Sequence, residues 1–155
     1  MENNGIKYGL LAGLGVVVYN LLLYLIDDTL LFDWKVSSLG LLIYIACMYK
    51  AGVDERHAHG GYIGWKEALK PTFLTYVIGS LIVTVFTYLL FNFVDPGLMD
   101  VQKAVLMEQF ESMSGMLGEE GMEEAMRKLE EQQVASLSDM ALGYAMMLIF
   151  GFLLA

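Results

Sequence analysis

From Tyr8 to Ile26 the chain runs 19 residues without a charge, and from Thr72 to Val94 it runs 23 more. About 20 apolar residues in a helix cross the roughly 30 Å hydrocarbon core of a bilayer, so each run is long enough to span one. The composition agrees. Of 155 residues 57% are hydrophobic and 17% charged, and the mean hydropathy is +0.55. A soluble domain of this size turns much of its surface to water and cannot hide so much apolar area. The chain therefore reads as one all-α integral membrane domain, residues 1–155, with the lipid bilayer as its first partner.

Four spans are expected, at 8–26, 34–49, 72–94 and 140–155. A cleaved signal peptide is rejected for the first, because its apolar core would be only about 7–15 residues long and no small-residue cleavage site follows Ile26. The second run, Val36–Tyr49, is short, but Trp34 extends it with a side chain that prefers the membrane interface. Lys50–Lys70 reads as a polar connection whose second half, Tyr62–Lys70, mixes aromatics with bases as an interfacial helix does. Pro71 and Pro96 are the only prolines, and they bracket the third run. That placement predicts a helix opening at Pro71. The last run, Met140–Ala155, ends without the polar anchor that normally closes a span, so the sequence is expected to continue.

The stretch 95–139 is different in kind. It holds 11 acids and 3 bases, a net charge of −8 out of −9 for the chain. It reads as an extramembrane hairpin of two helices between the third and fourth spans. Apolar residues recur helically at Met99, Leu106, Phe110, Met113 and Leu117. Gly115–Gly121 breaks the pattern, and Met122, Met126 and Leu129 form a second face beyond it. Methionine-rich faces adapt to irregular partners, so these residues are candidates for partner binding. Packing of the two helices on each other explains them equally well. Bases are denser at Lys7 and in Lys50–Lys70 than elsewhere. Positive-inside then places both termini in the cytoplasm and the acidic segment outside.

Few residues point to chemistry. Gly5, Gly9 and Gly13 line one face of the first helix, a spacing that lets membrane helices approach closely. Packing within the chain is preferred to a homo-oligomer contact. Tyr76, Ser80, Thr84 and Thr87 form a polar stripe on the third helix, read first as helix-packing hydroxyls and second as the wall of a solute pathway. Mid-span acids and bases are missing, which counts against an ion-coupled carrier. Asp54–His59 gathers two acids and both histidines, and a solvated loop is preferred there to a metal site. Gly13-Leu14-Gly15 lacks the third glycine of a dinucleotide loop, and neither GxSxG nor HExxH occurs. No enzyme, cofactor or metal is expected. The net charge of −9 excludes nucleic acid as a partner, and Cys47, alone, cannot form an internal disulfide.

The stretch Gly60-Gly61-Tyr62-Ile63-Gly64-Trp65-Lys66-Glu67-Ala68-Leu69-Lys70 resembles the "GGYISF…A-K" segment of a family of small membrane proteins. That family is catalogued as a numbered domain of unknown function and is widespread in Gram-negative Bacteroidota. Lys7-Tyr8-Gly9-Leu10, Phe91-Asn92-Phe93-Val94-Asp95-Pro96 and the acidic Met/Glu-rich insertion resemble it too. The resemblance implies a four-span, multi-pass protein of the bacterial inner membrane, where the charge bias makes 95–139 periplasmic. It implies no activity, ligand or catalytic residue. The expected function is a non-enzymatic scaffold or interaction protein with a membrane-protein partner or a second copy. The runner-up is a small oligomeric channel or transporter.

Overall fold

The computed structural model describes residues 3–112, 114–131 and 137–154, and every regular element among them is helical. Three long helices form the body: α1 (Asn4–Ile26), α2 (Trp34–Ala58) and α3 (Trp65–Leu89). A 3₁₀ turn, Asp28–Leu31, joins the first two, and a π-helical turn, Leu90–Val94, prolongs the third. Then follow α4 (Leu98–Ser112), α5 (Ser114–Glu131) and α6 (Leu137–Leu154).

Short polar side chains set the boundaries. Asn3, Asp27 and Asp33 each accept a hydrogen bond from the backbone N–H two residues on, at 2.9–3.1 Å, and so start α1, the 3₁₀ turn and α2. Such caps satisfy amides that a helix leaves unpaired. Gly60 and Gly61, both at positive φ, end α2. The N–H of Gly61 donates to the Arg56 carbonyl and that of Gly60 to the His57 carbonyl, which is the paired closure that glycine beyond a helix end allows.

α1 and α3 run parallel, with Gly5, Gly9 and Gly13 facing Leu74, Ile78 and Ile82 in turn. α2 runs antiparallel to both: its far end reaches Asn4 through Glu55, and its start takes a hydrogen bond from Tyr19 at the Val36 carbonyl. The core is small and contains Ala12, Val16, Tyr44, Met48 and Tyr76. Large apolar side chains such as Leu14, Leu22, Leu42, Leu81 and Val85 point outward and are exposed. Helices that are apolar around their circumference need a nonaqueous surround. Three of them, Asn4–Ile26, Trp34–Ala58 and Trp65–Val94, are long and apolar enough to cross a membrane. Trp34 and Trp65 stand exposed at helix starts and Tyr62 in the connection between α2 and α3, where interfacial aromatics belong.

Two boundaries differ from expectation. The second span does not stop at Tyr49; α2 continues to Ala58, so Asp54–Ala58 is helix and not loop. Its acids are held against α1, where Tyr8 donates to Asp54 at 2.5 Å and Asn4 to Glu55 at 2.8 Å. Nor does the third helix open at Pro71. It opens at Trp65, with Pro71 inside it. Gly64 is the cap residue, and its N–H donates to the Glu67 carboxylate at 3.1 Å.

α4 seats on the end of the bundle. Leu98 and Met99 are buried, and Gln109 donates to the Phe32 carbonyl at 3.1 Å. α5 contacts α4 and is kinked at Gly118, whose φ of 71° and ψ of 169° suit glycine alone. α6 packs on α3: Tyr144 donates to the Val77 carbonyl at 2.8 Å, and Phe152 meets Phe73 edge-on at 5.6 Å. Its apolar stretch, Ala141–Leu153, is shorter than the three spans.

Candidate functional site

The polar stripe of α3 faces inward. Ser80 and Tyr76 are buried, and with Thr87 they line an open-sided cavity of about 350 Å³ bordered chiefly by α1, α2 and α3. Toward the α4 end, α2 and α3 leave space between Ser37, Gly40 and Leu41 on one side and Val83, Phe86, Thr87 and Leu90 on the other. Asn20 of α1 adds a carboxamide, and Gln102 of α4 contributes a second from the roof beside Phe32 and Phe91. Those two rings meet edge-on at 5.9 Å. Ser37 and Met147 on the rim are exposed, so the cavity opens sideways. Thr84, expected in the same stripe, is half-buried and is not a lining residue.

The hydroxyls are partly committed. Ser37 donates to the Leu31 carbonyl at 2.8 Å and Ser80 to the Val77 carbonyl at 3.2 Å. Each keeps lone pairs to accept with. The Tyr44 ring forms part of the wall and lies 5.4 Å from the Tyr76 ring. Its hydroxyl is sealed, and no partner for it occurs among the described residues.

The glycine face is a helix contact within the chain. A Cβ on Gly9 would lie 2.7 Å from Ile78 Cβ, and one on Gly13 would lie 3.1 Å from Gly79 Cα. Thr75, which the stripe reading passed over, is fully buried and donates to the Pro71 carbonyl at 2.8 Å and the Gly5 carbonyl at 3.3 Å. Two signals could have pointed here: Gly79 as the small partner that Gly9 and Gly13 require, and Tyr44 as a hydroxyl amid an apolar run.

In the acidic segment Met99 is buried against the bundle, so it is unavailable to an external partner. Leu106, Phe110, Met122 and Met126 are half-buried. Met113 and the side chain of Leu129 lie outside the described residues. Glu124 accepts from Lys128 at 2.8 Å, and that bond holds its carboxyl below the usual range. Asp27, at the bundle end, is likewise held low by the Thr29 hydroxyl and then the Thr29 amide.

At the opposite end Asn4, Glu55, His59, Glu67 and Lys70 rim an open cleft. His59 Nδ1 lies 2.9 Å from the Glu55 carbonyl oxygen. Among the described residues no three His, Cys, Asp or Glu side chains converge to hold a metal ion.

Three apolar helices packed through glycine, with exposed leucine around them, define a small helical membrane protein. The family model "Protein of unknown function (DUF4199)" matches residues 7–155, and the chain belongs to that family. No curated protein and no solved structure matches it.

Proposed function

We propose that the chain is a non-enzymatic membrane scaffold that presents its acidic arm, α4 and α5, to a partner membrane protein. One observation carries this reading: the two arm helices are seated unequally. α4 is fixed to the bundle through buried Leu98 and Met99 and through Gln109, whereas among the described residues α5 packs chiefly on α4. A helix fixed at its root and free along its flank suits capture of a partner. Its exposed acids, Glu120, Glu123, Glu124 and Glu131, favour a partner with a basic rim.

In the full reading α6 is a fourth span, both termini are cytoplasmic and the arm is periplasmic at the inner membrane. The denser bases of Lys50–Lys70 support this orientation. The oligomeric channel or transporter is less favoured, because Tyr76 and Ser80 are buried within one chain and do not face a neighbouring subunit.

A photo-crosslinking residue placed in cells at Met122 or Met126 tests the proposal. Expected is one protein adduct of constant mass, lost on Glu120→Lys with Glu123→Lys and absent from a probe at outward-facing Leu42. Lipid adducts alone from the arm, or solute flux in proteoliposomes of the purified chain, would overturn it.

A further inference from the structure

We propose that the cavity between α2 and α3 is a binding site for an uncharged, hydroxyl-bearing amphiphile that enters sideways from the bilayer. Three observations lead there. First, among the described residues no acid or base lines the space. A charged group moved into it from water would lose hydration with no ion to replace it, a cost that excludes ionic ligands. Asp28, Asp33, Asp95 and Asp100 lie in the segments around the α4 end of the bundle, which further disfavours an anion.

Second, the hydrogen-bonding groups are complementary to a hydroxyl. Asn20, Thr87 and Gln102 can donate, while Ser37 and Ser80 have spent their protons on backbone carbonyls and offer lone pairs. A hydroxyl both donates and accepts, so it can use both sets. The rest of the wall is aromatic and aliphatic, which suits an apolar body.

Third, size and opening agree. At about 350 Å³ the space sits near the lower end of the range of about 300–1,000 Å³ for ligand sites. It holds a polar end and the first part of an apolar body. Exposed Ser37 and Met147 mark the side opening, through which longer chains would lie along the outer faces of the helices.

A membrane diacylglycerol and a free aliphatic alcohol share this chemistry, and the test separates them. The full chain, in phosphatidylcholine nanodiscs, is irradiated with a diazirine-bearing diacylglycerol, with a diazirine-bearing octanol, or with phosphatidic acid carrying the same diazirine chain. Expected are saturable adducts within residues 37–41 and 83–91 from one or both neutral probes, and at least tenfold fewer from phosphatidic acid. Labelling by the diacylglycerol identifies a lipid source, and labelling by octanol alone a soluble one.

Gly40→Leu fills the space from the α2 wall. A Cβ there meets nothing closer than 3.8 Å, and the variant should lower labelling at least tenfold. Thr87→Val with Gln102→Leu keeps the volume and removes donors, so labelling falls about three- to tenfold even if Gly40→Leu folds poorly. Equal labelling by phosphatidic acid overturns the proposal. So do adducts spread evenly over the outward-facing leucines, or labelling unchanged in both variants.

Discussion

At the residue scale the tightest constraint is where α1 crosses α3. A Cβ on Gly79 would lie 2.7 Å from Tyr44 Cε1 and 3.2 Å from the Gly9 carbonyl oxygen. The ring could shift, but the α1 backbone has little freedom to do so. Gly79→Ala should therefore cost about 1–3 kcal/mol, read as a lower melting temperature in detergent. Gly143→Ala is the control, because nothing lies within 4 Å of a Cβ there; it should be neutral or stabilise by up to about 1 kcal/mol through helix propensity. The sealed Tyr44 hydroxyl leads to the opposite sign. An unpartnered buried hydroxyl carries a desolvation penalty of about 1–3 kcal/mol, so Tyr44→Phe should raise the melting temperature. A fall would mean that the hydroxyl has a partner. Asp27 sets a pH dependence. Its folded-state pKa lies below the ordinary 3.8 because Thr29 donates to it. Its stabilising contribution is therefore complete above that value and is lost as pH falls through the lower, folded-state value. The melting difference between the wild type and Asp27→Ala should be constant above pH 4 or so and shrink under stronger acid; a difference that grew on acidification would reverse the sign.

At the scale of elements, the end of α2 shows what a sequence conceals. Runs without charge locate α1 and most of α3, because lipid demands them and these are the two longest such runs in the chain. Past Tyr49 the residues turn polar, and polarity alone cannot tell a loop from a helix whose acids have found partners elsewhere. Those partners, Tyr8 and Asn4, are 46 and 51 residues away. Pro71 misleads for a related reason: proline is common in a first helical turn, yet here the helix has already begun at Gly64, where Glu67 accepts the amide of the cap. The cavity was half legible. Tyr76, Ser80 and Thr87 formed a visible stripe, but Gln102 and Ser37 reach it only through the seating of α4 and the splay of α2. If the polar bonds are what extend α2, Tyr8→Phe with Asn4→Ala should speed amide exchange across residues 52–59 and leave 36–48 protected. Unchanged exchange would assign the extension to local helix preference instead.

For the whole molecule the decisive question is which ends share a side. α2 and α3 run oppositely, so Ala58 and the start of α3 lie at one end of the bundle and α4 at the other. α6 then returns along α3: Tyr144 sits at Val77 and Phe152 at Phe73, so the chain descends toward the Ala58 end. An 18-residue helix is about 27 Å long, close to the hydrocarbon thickness of about 30 Å. Its return is therefore compatible with crossing as well as with lying against α3 part-way. Single cysteines at Ala58, Gly118 and Leu153, each in a Cys47→Ala background, separate these cases. Cells with a permeabilised outer membrane are treated with an impermeant maleimide. Because bases are concentrated around the Ala58 end, position 118 should label and position 58 should not. A crossing α6 leaves 153, like 58, protected in these cells but reactive once the inner membrane is opened, whereas an α6 that stops part-way leaves 153 in lipid and unreactive in both conditions. Labelling of 58 with protection of 118 would invert the molecule and turn the acidic arm toward the cytoplasm. Labelling of both would mean that α3 does not cross, against the length and hydropathy of the strongest span in the chain.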